Sequence, residues 1–172
     1  MGCAASTSVP ICQSGAASRG MTNYQVPTAT RGFHDQYVLG VKLGRGAFAQ
    51  VREVFPVNAT EAPCRGMAVK IIGLCDSETG ELSRKAQEDV NNEVDLWKTT
   101  VGSSHIIQLY DVFLSSSLAY MVMERCSTGL FHYLENSPCF NEQLLRKILH
   151  DMVTGIRQLH MHLVVHRDIK PD

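Results

Sequence analysis

Charge is scarce and evenly split in this chain. Its 172 residues carry 17 acidic and 16 basic side chains, a net charge of −1, which offers no general attraction to nucleic acid or to an anionic membrane. Aromatic residues make up only 7%, with a single tryptophan. No apolar run approaches the roughly 18 residues that a membrane-spanning helix needs. The six cysteines, Cys3, Cys12, Cys64, Cys75, Cys126 and Cys139, never stand at Cys-x-x-Cys spacing. No secretory apolar segment precedes them, so reduced thiols in a cytoplasmic setting are expected. His160, His162 and His166 cluster where a helix gives way to a loop. No cysteine or carboxylate group joins them at ligand spacing, so no metal site is expected within the chain.

Acid is missing altogether from residues 1–34, which hold Arg19 and Arg31 and are otherwise rich in Ala, Ser, Thr and Gly. Neither a 3.6-residue nor a 2-residue apolar period is sustained there. Too little apolar surface is available to offset the entropy of ordering, so residues 1–35 are expected to form a disordered tail.

From Tyr37 the character changes. Residues 37–43 and 48–55 read as two strands around a glycine turn, and 64–72 as a third strand. A polar stretch, 76–85, leads into a helix over 86–99 with Val90, Val94 and Trp97 along one face. Residues 106–113 and 118–123 read as further strands, separated by Ser115-Ser116-Ser117. Asn141 is placed as the N-cap of a long amphipathic helix whose stripe is Leu144, Leu145, Ile148, Leu149, Met152, Val153, Ile156 and Leu159. Leu163-Val164-Val165 reads as a short apolar strand. Three strands, a helix, two strands and a long helix is an α+β order, not the alternation of a doubly wound sheet. No internal repeat is present.

Three segments carry chemistry. In Leu43-Gly44-Arg45-Gly46-Ala47-Phe48-Ala49-Gln50-Val51, Gly44 and Gly46 leave backbone N–H groups open to the oxygens of a phosphate, although a plain hairpin turn would use the same glycines. In Met67-Ala68-Val69-Lys70, strand alternation puts Ala68 and Lys70 on one face. A lysine held extended there needs a carboxylate. Glu93 stands beside the apolar positions Val90, Val94 and Trp97, while Glu88, Asp89 and Asp95 are rivals that spacing alone does not exclude. The third segment is the terminal His166-Arg167-Asp168-Ile169-Lys170-Pro171-Asp172.

These segments, in this order, resemble the protein kinase family, and the resemblance runs without a gap over residues 37–172. It implies a kinase-like α+β fold: a five-stranded antiparallel small-lobe sheet with its helix (36–124), a hinge (125–127) and the first helices of an incomplete larger lobe (128–172). The activity implied is ATP-dependent phosphoryl transfer to Ser or Thr of a protein substrate, with Mg²⁺ as cofactor. Gly44 and Gly46 would then cradle phosphates, Phe48 would close over them, Val51 would pack on the adenine, and Leu43 would belong to the same nucleotide site. Ala68 would face the base and Lys70 the α/β-phosphates, with Glu93 holding the lysine. Met123 would be the gatekeeper, and Glu124 and Cys126 would belong to the hinge that receives the adenine edge. Asp168 would accept the substrate hydroxyl proton, a role typically worth about 10²–10⁴-fold, and Lys170, the Ser/Thr-type residue, would lie near the transferred phosphate. Tyr-x-Leu-Gly, Gly-Ala-Phe and Met-Glu-x-Cys further resemble the calcium/calmodulin-regulated and calcium-dependent kinases.

The sequence also departs from the family pattern. Ala49 stands where a third glycine is usual. Ser127-Thr128-Gly129-Leu130-Phe131 is shorter than the usual segment and lacks its acid, and Trp97 replaces a smaller aliphatic residue one turn after Glu93. Beyond Asp172 the resemblance would place a metal-binding asparagine, the Asp-Phe-Gly motif and the activation segment. The chain is therefore expected to be the N-terminal part of a kinase, binding ATP weakly, not turning over and aggregating on its own. The alternative is a short, non-catalytic nucleotide-binding or protein-interaction module. At the front, Met1-Gly2-Cys3-Ala4-Ala5-Ser6 fits myristoylation of Gly2 with palmitoylation of Cys3, which together would anchor the protein to a membrane. A chance match in a Ser-rich tail, or a transit peptide, gives the same letters.

Overall fold

The computed structural model describes residues 32–46, 49–58, 66–76, 79–137 and 140–170. A short helix α1 (Phe33–Gln36) leads into β1 (Tyr37–Arg45), β2 (Ala49–Pro56) and β3 (Met67–Gly73). Helix α2 (Arg84–Thr99) follows, then β4 (Leu109–Leu114), β5 (Leu118–Glu124), α3 (Leu130–Glu135) and α4 (Glu142–Met161). The strands form one antiparallel sheet in the order β1-β2-β3-β5-β4.

Burial follows position in that order. β5 buries four consecutive residues, Ala119, Tyr120, Met121 and Val122, and β3 buries Ala68, Val69 and Ile71. A strand covered on both faces reads as a continuous apolar run. β1, at the edge, buries none of its residues. One face of the sheet carries Val54, Val69, Ile71, Phe113, Tyr120 and Val122, capped by Phe33 of α1. The other carries Ala119, Met121 and Leu74 against Val90 and Val94 of α2. Their i, i+4 spacing is what turns one stripe of α2 to the sheet. Ser83 caps that helix by accepting from the Ala86 N–H, and Asn141 caps α4 by accepting from the Leu144 N–H at 2.9 Å.

Three expectations need correction. The tail was drawn to residue 35, but residues 33–36 are helical and Phe33 is buried, its ring stacked on Tyr120 with centroids 4.2 Å apart. Residues 1–31, and with them Gly2 and Cys3, lie outside the described residues. The fourth strand in sequence begins at Leu109, not at 106, because residues 103–108 are gathered into a turn by the Gln108 amide, which donates to the carbonyls of Ser103 and Ile106. Residues 130–135 form a helix that no sustained apolar period announced. Residues 163–165 are not a strand. The Leu163 and Val164 N–H groups turn back to the carbonyls of His160 and Leu159, closing the end of α4, and Leu163 and Val165 are exposed.

Candidate active site

The register of the sheet assembles one face. Val51 on β2 pairs with Gly44 on β1 and with Lys70 on β3, and Lys70 pairs with Met121 on β5. Ala68 lies between Glu53 and Met123. Cross-strand partners project to the same side, so Gly44, Val51, Ala68, Lys70 and Met123 share the face on which α2 packs. Leu43, the neighbour of Gly44, is exposed. Phe48 lies outside the described residues.

Lys70 and Glu93 meet across that face. The ammonium donates to both carboxylate oxygens, 2.6 Å to Oε1 and 2.9 Å to Oε2, with the side chains 28% and 40% exposed. The rivals are engaged elsewhere or point away: Glu88 pairs with Arg84 on the solvent face, Asp95 lies 3.8 Å from Lys98, and Asp89 is exposed. Glu93 wins because it lies three residues after the buried Val90 and four before Trp97, on the stripe of α2 that meets the sheet.

Two glycines of the segment 43–51 stand nearly clear of the described residues. A Cβ at Gly44 would meet nothing within 4 Å, and one at Gly46 would meet only the Ala49 carbonyl at 3.8 Å. Neither residue has positive φ. Among the described residues nothing forbids a side chain at either position, whereas an incoming group that needs the backbone would. The Gly46 N–H donates to Ala49 O at 2.8 Å, which closes the turn.

At the far end of β5 the Glu124 N–H donates to the Gln108 carbonyl, and the Arg125 N–H to that of Gly66. The Arg125 guanidinium pairs with Glu53, so β2 and the segment after β5 are strapped together beside Ala68 and Met123. No signal of short sequence range could have revealed that pair. Cys126 is exposed just beyond it.

Asp168 and Lys170 form a separate group. The Lys170 ammonium is 3.6 Å from Asp168 Oδ2, and both side chains are more than half exposed. The Asp168 N–H donates to His166 Nδ1 at 3.3 Å, and Arg167 between them holds φ at +61°. A non-glycine residue in that region stores strain of order 1–3 kcal/mol, and such residues concentrate at functional sites. No group of three or more His, Cys, Asp or Glu side chains able to hold a metal occurs among the described residues. No described helix is long and apolar enough to cross a membrane.

The model of the protein kinase domain matches residues 37–172. The chain belongs to the protein kinase family. It is 36% identical over 138 residues to CBL-interacting protein kinase 30 of Oryza sativa subsp. japonica, covering 80% of this chain and 27% of that protein. It is 31% identical over 140 residues to calcium/calmodulin-dependent protein kinase type II of Schizosaccharomyces pombe, covering 80% of this chain and 26% of the relative. A probable myosin light chain kinase of Dictyostelium discoideum is 32% identical over 139 residues, 80% of this chain and 37% of its own length. The chain thus spans about a quarter to about a third of these curated relatives. The matches agree with the resemblance to calcium-regulated Ser/Thr kinases and with the antiparallel sheet, helix and partial second lobe of this family.

Proposed function

We propose that the face bearing Gly44, Val51, Ala68, Lys70 and Met123 binds ATP, and that the full protein transfers the γ-phosphoryl group to Ser or Thr of a protein substrate. The single observation that carries this reading is the double contact of Lys70 with Glu93, which fixes an ammonium on the face that also holds Gly44, a glycine with no described atom within 4 Å of where a Cβ would stand. In this reading the Lys70 ammonium meets the α/β-phosphates. The N–H groups near Gly44 and Gly46 approach the phosphate oxygens, Leu43 and Val51 flank the base, and Glu124 and Cys126 present backbone to its edge. The substrate hydroxyl oxygen attacks the γ-phosphorus, the bond from that phosphorus to the bridging oxygen breaks, and the hydroxyl proton passes to the Asp168 carboxylate as ADP departs. Lys170, close to Asp168, offsets charge on the transferred group. Positioning and charge stabilisation do most of this work.

By itself, this stretch of chain is proposed to bind nucleotide weakly without turnover, as the N-terminal part of a catalytic domain. The Met1-Gly2-Cys3 start is proposed to be doubly acylated and to bring the protein to a membrane, since one myristoyl chain gives only marginal binding of about 10⁴ M⁻¹. Mass spectrometry of the mature N-terminus checks the latter, and an unmodified Gly2 rules it out.

The test of the main reading is titration of the chain with a fluorescent ADP analogue, alongside a peptide phosphorylation assay. Saturable binding that Lys70→Met weakens is expected, with no phosphate transfer. Binding untouched by Lys70→Met would overturn the site. Transfer by the chain alone that Asp168→Asn abolishes would keep the roles and overturn the inactivity. No binding at all would favour a non-catalytic interaction module.

A further inference from the structure

Trp97 is the chain's single tryptophan, and it stands one turn after Glu93 on α2. Its ring is half-buried against the cluster of Leu74, Val90, Val94 and Met121. Its indole N–H donates to the carbonyl of Ile107 at 2.8 Å. That carbonyl belongs to a braced segment. The Gln108 side chain donates to Ser103 O at 3.0 Å and to Ile106 O at 2.9 Å, and the Gln108 carbonyl accepts from the Glu124 N–H at the end of β5.

We propose that Trp97 is a positioning residue for Lys70: its indole hydrogen bond holds α2 at the one register in which Glu93 reaches the ammonium. Burial of Val90 and Val94 keeps α2 on the sheet, but apolar contact is non-directional and tolerates sliding and rotation. A hydrogen bond is directional, falling off steeply with angle. Successive helix residues point about 100° apart, so a small rotation about the axis suffices to carry Glu93 away from Lys70. The bond therefore supplies the directional restraint that packing lacks, and it anchors α2 to the same segment that holds Glu124. Both walls of the proposed nucleotide cleft are referred to one turn of backbone, residues 103–108.

The inference gives the Lys70–Glu93 pair its meaning from the proposed nucleotide site, but its test does not need nucleotide. Because the tryptophan is unique, growth on 3-benzothienylalanine replaces it with a ring of the same shape and no N–H, and Trp97→Phe is a second route. Lys70 is then trace-labelled with acetic anhydride and compared by mass spectrometry with the exposed Lys85 of the same helix. Loss of the bond is expected to raise relative Lys70 labelling about two- to tenfold. Glu93→Gln should raise it similarly, and removing the indole N–H from the Glu93→Gln protein should add nothing. Unchanged labelling in the benzothienyl protein, or an equal rise in the Glu93→Gln background, would overturn the proposal. If Trp97→Phe fails to fold, the isosteric ring decides. A fluorescent ADP analogue run in parallel separates the two ideas. Failure to bind the unmodified chain, with the labelling pattern intact, removes the nucleotide site and leaves Trp97 its role on Lys70.

Discussion

Gly155 of α4 lies directly against the backbone of His105: a Cβ at that position would stand 2.9 Å from the His105 carbonyl oxygen. Gly155 is the one buried residue of α4. Around it the His105 N–H donates to the Gln158 side chain at 3.3 Å, and the His105 ring lies 3.5 Å from Asp151. The glycine is where the long helix reaches the turn that also anchors α2. The blocking atom is backbone, so it has no rotamer with which to yield. Gly155→Ala should therefore destabilise the protein by about 1–3 kcal/mol, despite a helix-propensity gain of up to about 1 kcal/mol. Urea denaturation of the two proteins checks this. A more stable alanine variant would mean that the helix is not seated there.

The Lys70–Glu93 pair makes a paired prediction. Hydrogen bonds to charged groups are worth about 1.5–3 kcal/mol, so Lys70→Met should weaken binding of an ADP analogue by about 10- to 100-fold. Glu93→Gln should weaken it in the same direction, because the ammonium loses the group that holds it extended. Glu88→Gln is the control: Glu88 pairs with Arg84 in solvent and should leave affinity unchanged. Equal effects at 88 and 93 would mean that the pairing does not matter to the site.

How much of this was legible in the sequence depends on the range of each contact. The Lys70 and Glu93 positions could be read because strand alternation and helix periodicity are local rules, and each residue sits beside apolar neighbours that fix its face. The strand and helix cores were legible for the same reason. Phe33 was not: it is a lone aromatic after a stretch without period, and its ring partners Phe113 and Tyr120 lie far along the chain. Arg125 with Glu53, and Gly155 with His105, are likewise contacts between distant segments that no local pattern encodes. The misread strand at 163–165 shows the opposite error. Three apolar residues satisfy a strand rule locally, yet a strand needs a partner, and the end of α4 claims their N–H groups first.

Tyr37 should give the protein an alkaline limit. Its phenol is pushed well above the usual range by burial first, then by donating a hydrogen bond to Asp111 and by the charge of that carboxylate. The folded state therefore holds this proton more tightly than the unfolded chain, whose tyrosine titrates near its ordinary value of about 10. The stabilisation is complete below that value. It is lost as pH rises from there toward the folded-state value, because only the unfolded state gains by releasing the proton. Stability measured from about pH 9 to pH 11 should fall more steeply in the natural protein than in Tyr37→Phe. Parallel curves would show that the phenol is not held as described.

The end of α4 offers a stabilising change. The Leu163 N–H donates to His160 O and the Val164 N–H to Leu159 O, each at 3.0 Å, the two bonds of a Schellman cap. That cap requires a left-handed residue at its centre, and Leu163 supplies it with φ of +60°. For a residue with a Cβ this conformation costs about 1–2 kcal/mol. Leu163 recovers little of that by packing, being 93% exposed. Leu163→Gly should relieve the strain while giving back about 0.5–1 kcal/mol through the greater freedom of the unfolded chain, a net gain of about 0.5–1 kcal/mol. Leu163→Ala keeps the Cβ, and with it the strain, and should be close to neutral. The ordering glycine above alanine and leucine, read as urea midpoints, is the signature of backbone strain. If glycine were instead the least stable of the three, the leucine side chain would have a packing partner that outweighs its strained backbone.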